Sequence, residues 1–176
     1  MRPPSVAIAA PDAQAFVSMF GDLFEHSPWV AARAWRPEGF PDAVSMIEAM
    51  MGVVEAAPAE EQLRLLRAHP ELAGQEALVG ALTPESEREQ ASAGLDRLEP
   101  RETEAVRRLN AAYRDRHGFP FILCVRHYTK RGVLAELERR TRRSTECERE
   151  EALAQIAFIA VERLEKRLGQ MKKHAR

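Results

Sequence analysis

Gly118-Phe119-Pro120-Phe121-Ile122-Leu123-Cys124-Val125-Arg126 is the stretch on which the fold class turns. Its apolar run from Phe121 to Val125 has the length of a buried strand. A strand needs a hydrogen-bonded neighbour, and no other run in the chain offers one. Gly118 and Pro120 set an abrupt entry. The run therefore reads as a buried, tight segment or short helix between helices. On its near side, residues 101–116 repeat with helical period, placing Val106, Leu109 and Tyr113 in register. On its far side, residues 130–140 form a helix. A last helix over roughly 146–168 turns Leu153, Ile156, Ile159, Ala160, Leu164 and Leu168 inward. Arg163 lies on or beside that apolar face, seven residues after Ile156 and four after Ile159. A buried guanidinium needs an anion, either a protein carboxylate or a substrate carboxylate.

The first half of the chain reads the same way. Residues 12–25 place Phe16, Met19, Phe20, Leu23 and Phe24 on one face, with Asp12 as cap. Ser27 can cap a short helix that Pro28 opens and that runs through Trp35. Residues 36–41 are a loop by their Pro and Gly content. Asp42 opens a helix with Val44, Ile47, Met50, Met51 and Val54 at core spacing, and Pro58 stops it. Met46, Met50 and Met51 read as flexible core filler. Residues 59–68 form another helix, with Leu63, Leu65 and Leu66 inward.

That helix runs into His69-Pro70. The residue before a proline is pushed out of the helical region, and proline suits the first turn of a following helix. His69 is thus expected at a corner on stiff backbone, and histidine is the side chain that moves protons near neutral pH. An isolated His-Pro equally fits a capping or packed histidine. Thr83-Pro84 marks another helix start, closed by Gly94-Leu95. Inside it Ser86, Glu89 and Gln90 share one face at i, i+3, i+4 spacing, which also describes an ordinary solvated face.

At 176 residues the chain is long enough for one sizeable core. Seven or eight helices and no credible sheet give an all-α single domain over 12–170, with tails at 1–11 and 171–176. The formal net charge of −1 supplies no field towards nucleic acid or membrane. The basic runs at 139–143 and 172–176 read as solvated surface and frayed tail. No run approaches the apolar length of a membrane span, and the N-terminus makes a poor signal peptide. Cys124 and Cys147 match no zinc or redox spacing. Both read as thiols in a reducing compartment, so the expected location is cytoplasmic.

Four motifs now stand in order: Glu25-His26-Ser27-Pro28-Trp29-Val30-Ala31, Ala68-His69-Pro70-Glu71-Leu72-Ala73-Gly74, Ser86 with Glu89-Gln90 and Ala93-Gly94-Leu95, and Gly118-Phe119-Pro120-Phe121-Ile122. Together they resemble the 2-oxo-4-hydroxy-4-carboxy-5-ureidoimidazoline (OHCU) decarboxylases of the urate-to-allantoin route. The similarity runs from about Phe16 to Leu168. It implies an all-helical homodimer that converts OHCU to (S)-allantoin and carbon dioxide with no cofactor and no metal. It implies His69 as catalytic proton donor and Glu89 as the second catalytic group. Pro70, Ser86, Gln90 and Arg163 would contact substrate, and Phe121, Ile122, Leu123, Cys124 and Val125 would supply backbone contacts to the ring and ureido group. The chain departs from the family pattern at Arg116-His117, where Lys-Phe is usual.

The chemistry agrees with the residues. Loss of carbon dioxide beside an imine-like ring sends an electron pair into that ring, and one proton must then reach one face of the carbon. A positioned acid contributes roughly 10²–10⁴ in rate, which is the role expected of His69. Two rival readings remain open here. One is a hydrolase acting on a neighbouring ureide, which needs an activated water. The other is a helical interaction module in which His69 and Arg163 are structural.

Overall fold

The computed structural model describes residues 7–74, 77 and 79–174. Residues 1–6 of the expected N-terminal tail and Ala175-Arg176 of the C-terminal one lie outside them. Eight α-helices occur among the described residues: α1 (Ala13–Phe20), α2 (Pro28–Ala34), α3 (Ala43–Ala56), α4 (Ala59–Arg67), α5 (Pro84–Ser92), α6 (Pro100–His117), α7 (Lys130–Thr141) and α8 (Thr145–His174). A single 3-10 turn, Val125–His127, precedes α7. The only extended pairing among these residues is one antiparallel bridge between Ile8 and Phe40. The all-α expectation therefore holds, and the Phe121–Val125 run is a buried segment that ends in that turn. No helix in the described residues is long and apolar enough to cross a membrane.

The chain forms two compact units, residues 1–68 with 157–176, and residues 69–156. In the first, α2 packs against both α1 and α3. Asp12 caps α1 by accepting the Ala15 N–H at 2.7 Å, and Asp42 caps α3 by accepting the Ser45 N–H at 2.8 Å. The rings of Phe20 and Phe40 flank Phe16, with centroids 5.1 and 5.8 Å away. Phe40 is held there because its N–H donates to Ile8 O, and Ile8 N–H donates back, both at 2.8 Å. Gly39 permits this approach: its φ is +69°, and a Cβ would sit 2.5 Å from Ile8 O.

The structure corrects several expectations here. α1 ends at Phe20, yet Leu23 and Phe24 are buried through the turns that follow. Ser27 makes no side-chain cap to α2. On α3, Val44 is 53% exposed while Met46 is fully buried, so the buried stripe is turned relative to the expected one. The stripe of Met46, Ile47, Met50 and Val54 still keeps helical spacing.

In the second unit α6 and α7 pack together. Tyr113 is the centre of an aromatic cluster, with Phe119 and Phe121 meeting it edge-on at 5.9 and 5.4 Å. α6 stops at Gly118, whose φ of +80° is the left-handed conformation that glycine adopts without steric cost. α8 starts in this unit and ends in the other.

Candidate active site

α4 ends at Arg67, and Ala68 closes it by donating to Arg64 O and Leu65 O. His69 follows immediately and is buried. The expected corner is present, but Pro70 does not open a helix. Residues 70–71 are irregular, Gly74 N–H donates to Glu71 O at 3.2 Å, and Ala73 holds a φ of +48°. A non-glycine residue in that region breaks a right-handed helix. The strained turn is held from two helices. Gln90 of α5 accepts the Ala73 N–H at 2.8 Å and donates to Glu71 O at 3.4 Å. Asn110 of α6 donates to Leu72 O at 2.9 Å, and Arg114 of α6 pairs with the Glu71 carboxylate.

α5 carries the second motif. Thr83 accepts the Ser86 N–H at 3.3 Å and its hydroxyl lies 3.1 Å from the Ser86 hydroxyl; Pro84 fills the first turn. Gly94 at φ +74° and the bond from Leu95 N–H to Gln90 O end the helix. Ser86 and Gln90 are buried and Glu89 is half-buried, so this face is not a solvated one.

α5 also packs against the Val125–His127 turn. Phe121 to Val125 are all buried, and residues 120–124 run without helix, turn or bend. Two peptide groups of the segment are held from α7 and α8. Arg140 Nη1 donates to Ile122 O at 2.9 Å, and Gln155 Oε1 accepts the Cys124 N–H at 2.9 Å. Leu123 is only 3% exposed, yet among the described residues neither its N–H nor its C=O has a hydrogen-bond partner. Buried peptide groups are almost always paired, with protein, water or ligand. Three motifs remote in sequence are thus tied together in the second unit: the His69 corner, the α5 face and the Val125–His127 turn in which the Phe121–Val125 run ends.

Arg163 belongs to the first unit. Its Nη1 donates to Glu25 Oε2 at 2.8 Å, and both side chains are buried. The protein carboxylate anticipated for this guanidinium is therefore Glu25, the first residue of the Glu25–Ala31 motif. The next residues of that motif, His26, Ser27 and Trp29, line a cleft with Arg33 and with Ala68, the residue before His69.

A family model described as OHCU decarboxylase matches residues 9–165. The chain belongs to that family. It is 40% identical over 168 residues to the 2-oxo-4-hydroxy-4-carboxy-5-ureidoimidazoline decarboxylase of Halalkalicoccus jeotgali, covering 93% of each chain. The crystal structure of an (S)-allantoin synthase superposes with a TM-score of 0.66 at 31% identity; the match covers 89% of this chain and spans half of that one. A crystal structure of OHCU decarboxylase in the presence of (S)-allantoin shares the fold, with a TM-score of 0.64 at 19% identity over 88% of this chain and 96% of that one.

Several residues around the site of this OHCU decarboxylase family member escaped the sequence reading. Arg140 sits in the basic run taken as solvated surface, yet it is fully buried. It pairs with the equally buried Glu148, Nε to Oε2 at 2.8 Å, and stacks over the Phe121 ring at 4.8 Å. Tyr113 donates to the same Glu148 oxygen at 2.8 Å. Burial, with the bond to Glu148, pushes the Tyr113 hydroxyl pKa far up, so it stays a donor. One signal was available: Glu148, Ala152, Gln155 and Ile156 repeat at i, i+4, i+7, i+8, placing two polar residues on the apolar face of α8. His117, at the departure from the family pattern, packs on Tyr113 and places Nδ1 3.0 Å from Thr145 Oγ1. Burial pushes its pKa down, so its role here is that of a neutral packed ring. No group of three His, Cys, Asp or Glu able to hold a metal ion occurs among the described residues.

Proposed function

We propose that this chain decarboxylates 2-oxo-4-hydroxy-4-carboxy-5-ureidoimidazoline to (S)-allantoin and carbon dioxide in urate degradation. Family membership and near full-length relatives of that name support it. The observation that carries it is the hydrogen-bonded join between the His69 turn and Gln90, beside a buried segment whose Leu123 peptide has no partner among the described residues.

In the reaction the bond from ring carbon to carboxylate breaks, carbon dioxide leaves, and the electron pair moves into the adjacent C=N of the ring. The ring nitrogen takes a proton, and the former C=N carbon, which bears the ureido group, takes another on one face as the hydroxyl on the decarboxylated carbon gives up its proton and becomes the carbonyl. The substrate's own ring is the electron sink, so the step draws on no cofactor. His69 supplies the carbon-bound proton from a rigid corner, which favours delivery to a single face. Glu89, one helical turn from Ser86, binds the substrate hydroxyl or ring N–H and turns the scissile carboxylate out of the ring plane. Ser86, Gln90 and Pro70 contact the substrate beside it. Phe121 to Val125 form an apolar wall that keeps water from the carboxylate, and the peptide groups of this run other than those held by Arg140 and Gln155 bind the ring and ureido edges. Arg163 binds an anionic part of the substrate, as the family resemblance implies. The enzyme acts as a homodimer in the cytoplasm.

The test is His69→Asn on freshly generated substrate, followed by the circular dichroism of the chiral product. The expected loss is about 10²–10⁴ in kcat, the range of a positioned acid. Activity within about threefold of wild type, far below that range, removes His69 from the mechanism.

A further inference from the structure

Peptide groups two residues apart in an extended run face the same way. Ile122 C=O and Cys124 N–H obey this: both are turned towards α7 and α8, held by Arg140 and Gln155. The Leu123 peptide groups between them face the other side and find no partner among the described residues. The two holding residues are themselves aimed. Gln155 Nε2 donates to Glu151 Oε1 at 2.9 Å, which leaves its oxygen for Cys124. Arg140 is oriented by Glu148, which also accepts from Tyr113 and pairs with Arg143 at 3.2 Å. Glu148 and Gln155 are seven residues apart, so they lie two turns apart on one face of α8. A packing role alone would be filled as well by apolar side chains, since burying an ion pair costs desolvation. What apolar side chains cannot do is fix the direction of a peptide group.

We propose that Gln155 and Arg140 are positioning residues for the decarboxylation, holding the Ile122 and Cys124 peptide groups against α7 and α8 so that Leu123 presents its N–H and C=O as a preset donor–acceptor pair to an amide edge of the ureide substrate. This rests on the activity proposed above. Neither side chain touches substrate. A preset pair costs no reorganisation on binding and holds the ring alike in ground and transition state, so its loss falls on KM more than on kcat.

The experiment compares Gln155→Met, Gln155→Glu and Ile156→Val with wild type. Gln155→Met keeps the volume and loses the acceptor. Gln155→Glu, made together with Glu151→Gln so that the bond between the two side chains is kept with its donor reversed, keeps an acceptor oxygen. Ile156→Val trims the neighbouring core residue on α8. Gln155→Met is expected to raise KM about tenfold, the size of one hydrogen bond, with kcat nearly unchanged; Gln155→Glu and Ile156→Val keep KM within about threefold, less than one such bond. In ligand-free protein the Leu123 and Cys124 amide NMR signals shift in Gln155→Met, and Cys124 exchanges faster. An unchanged KM in Gln155→Met, or an equal rise in Gln155→Glu, overturns the proposal. So do unchanged Leu123 and Cys124 amides, whatever the activity. A wild-type protein that does not turn over the substrate, with those amides still shifting in Gln155→Met, sinks the proposed activity and leaves the positioning supported.

Discussion

Glu148→Gln is the most informative single change for the scaffold under the site. Glu148 and Arg140 are both fully buried, and the carboxylate accepts from Arg140 Nε and Tyr113 at 2.8 Å each, with Arg143 at 3.2 Å. Glutamine keeps the shape and one acceptor oxygen but removes the charge, and its amide turns a donor towards donors. A guanidinium at zero exposure is then left beside a neutral partner. Breaking a buried pair from one side costs about 3–5 kcal/mol. For a chain of this length each kcal/mol moves the melting temperature by about 2–4 °C, so Tm should fall by roughly 6–20 °C. Urea unfolding followed by circular dichroism gives the free energy directly. Adding Arg140→Met removes the stranded charge. The loss should then shrink to about 1–3 kcal/mol, the cost of the donor missing at Ile122 O. A loss below about 1 kcal/mol in Glu148→Gln, the size of a surface pair, would refute the argument that this pair is a buried strut.

Further outcomes follow from other groups. Arg163→Met takes the guanidinium from the buried Glu25 carboxylate and should cost about 3–5 kcal/mol of stability, and KM should rise with it; an unchanged KM would assign the guanidinium to Glu25 alone. His117 has its pKa pushed below the ordinary 6.5, chiefly by burial. Above that ordinary value the ring is neutral in both states; below it the unfolded chain takes the proton first, so stability falls with pH until the folded ring titrates too. Unfolding free energies between pH 7.5 and 5 should therefore drop less steeply in His117→Gln than in wild type. Thr83→Ala removes the α5 cap and should cost about 0.5–2 kcal/mol, read as faster amide exchange in the first turn of α5.

Much was decided by local chemistry that any fold would respect. Proline and glycine set the corners: Pro28, Pro84 and Pro100 in first turns, Gly118 in the left-handed cap. Asp12, Asp42 and Thr83 cap because short polar side chains reach the nearest orphan N–H groups. Helical periodicity placed Phe16, Leu65, Leu66, Tyr113, Ile156 and Leu164 in the core. Those same signals carried the four motifs, so the family was legible in the sequence alone.

What only the tertiary structure decided is which partner each polar group meets across long stretches of chain. Helical spacing sets Arg140 on the stripe of Val133 and Leu137 and leaves Arg139 off it, exposed and paired with Glu136 three residues away, but that spacing names no partner for Arg140. Arg140 is buried because α7 and α8 bring Glu148 and the Ile122 carbonyl to it. Likewise Pro70 could have begun a helix by its own geometry, but Gln90, Asn110 and Arg114 capture the turn instead. Backbone corners are local because they follow from sterics within a few bonds. The direction of a peptide group such as Leu123 depends on hydrogen bonds closed by residues far along the chain, so no short window of sequence contains it.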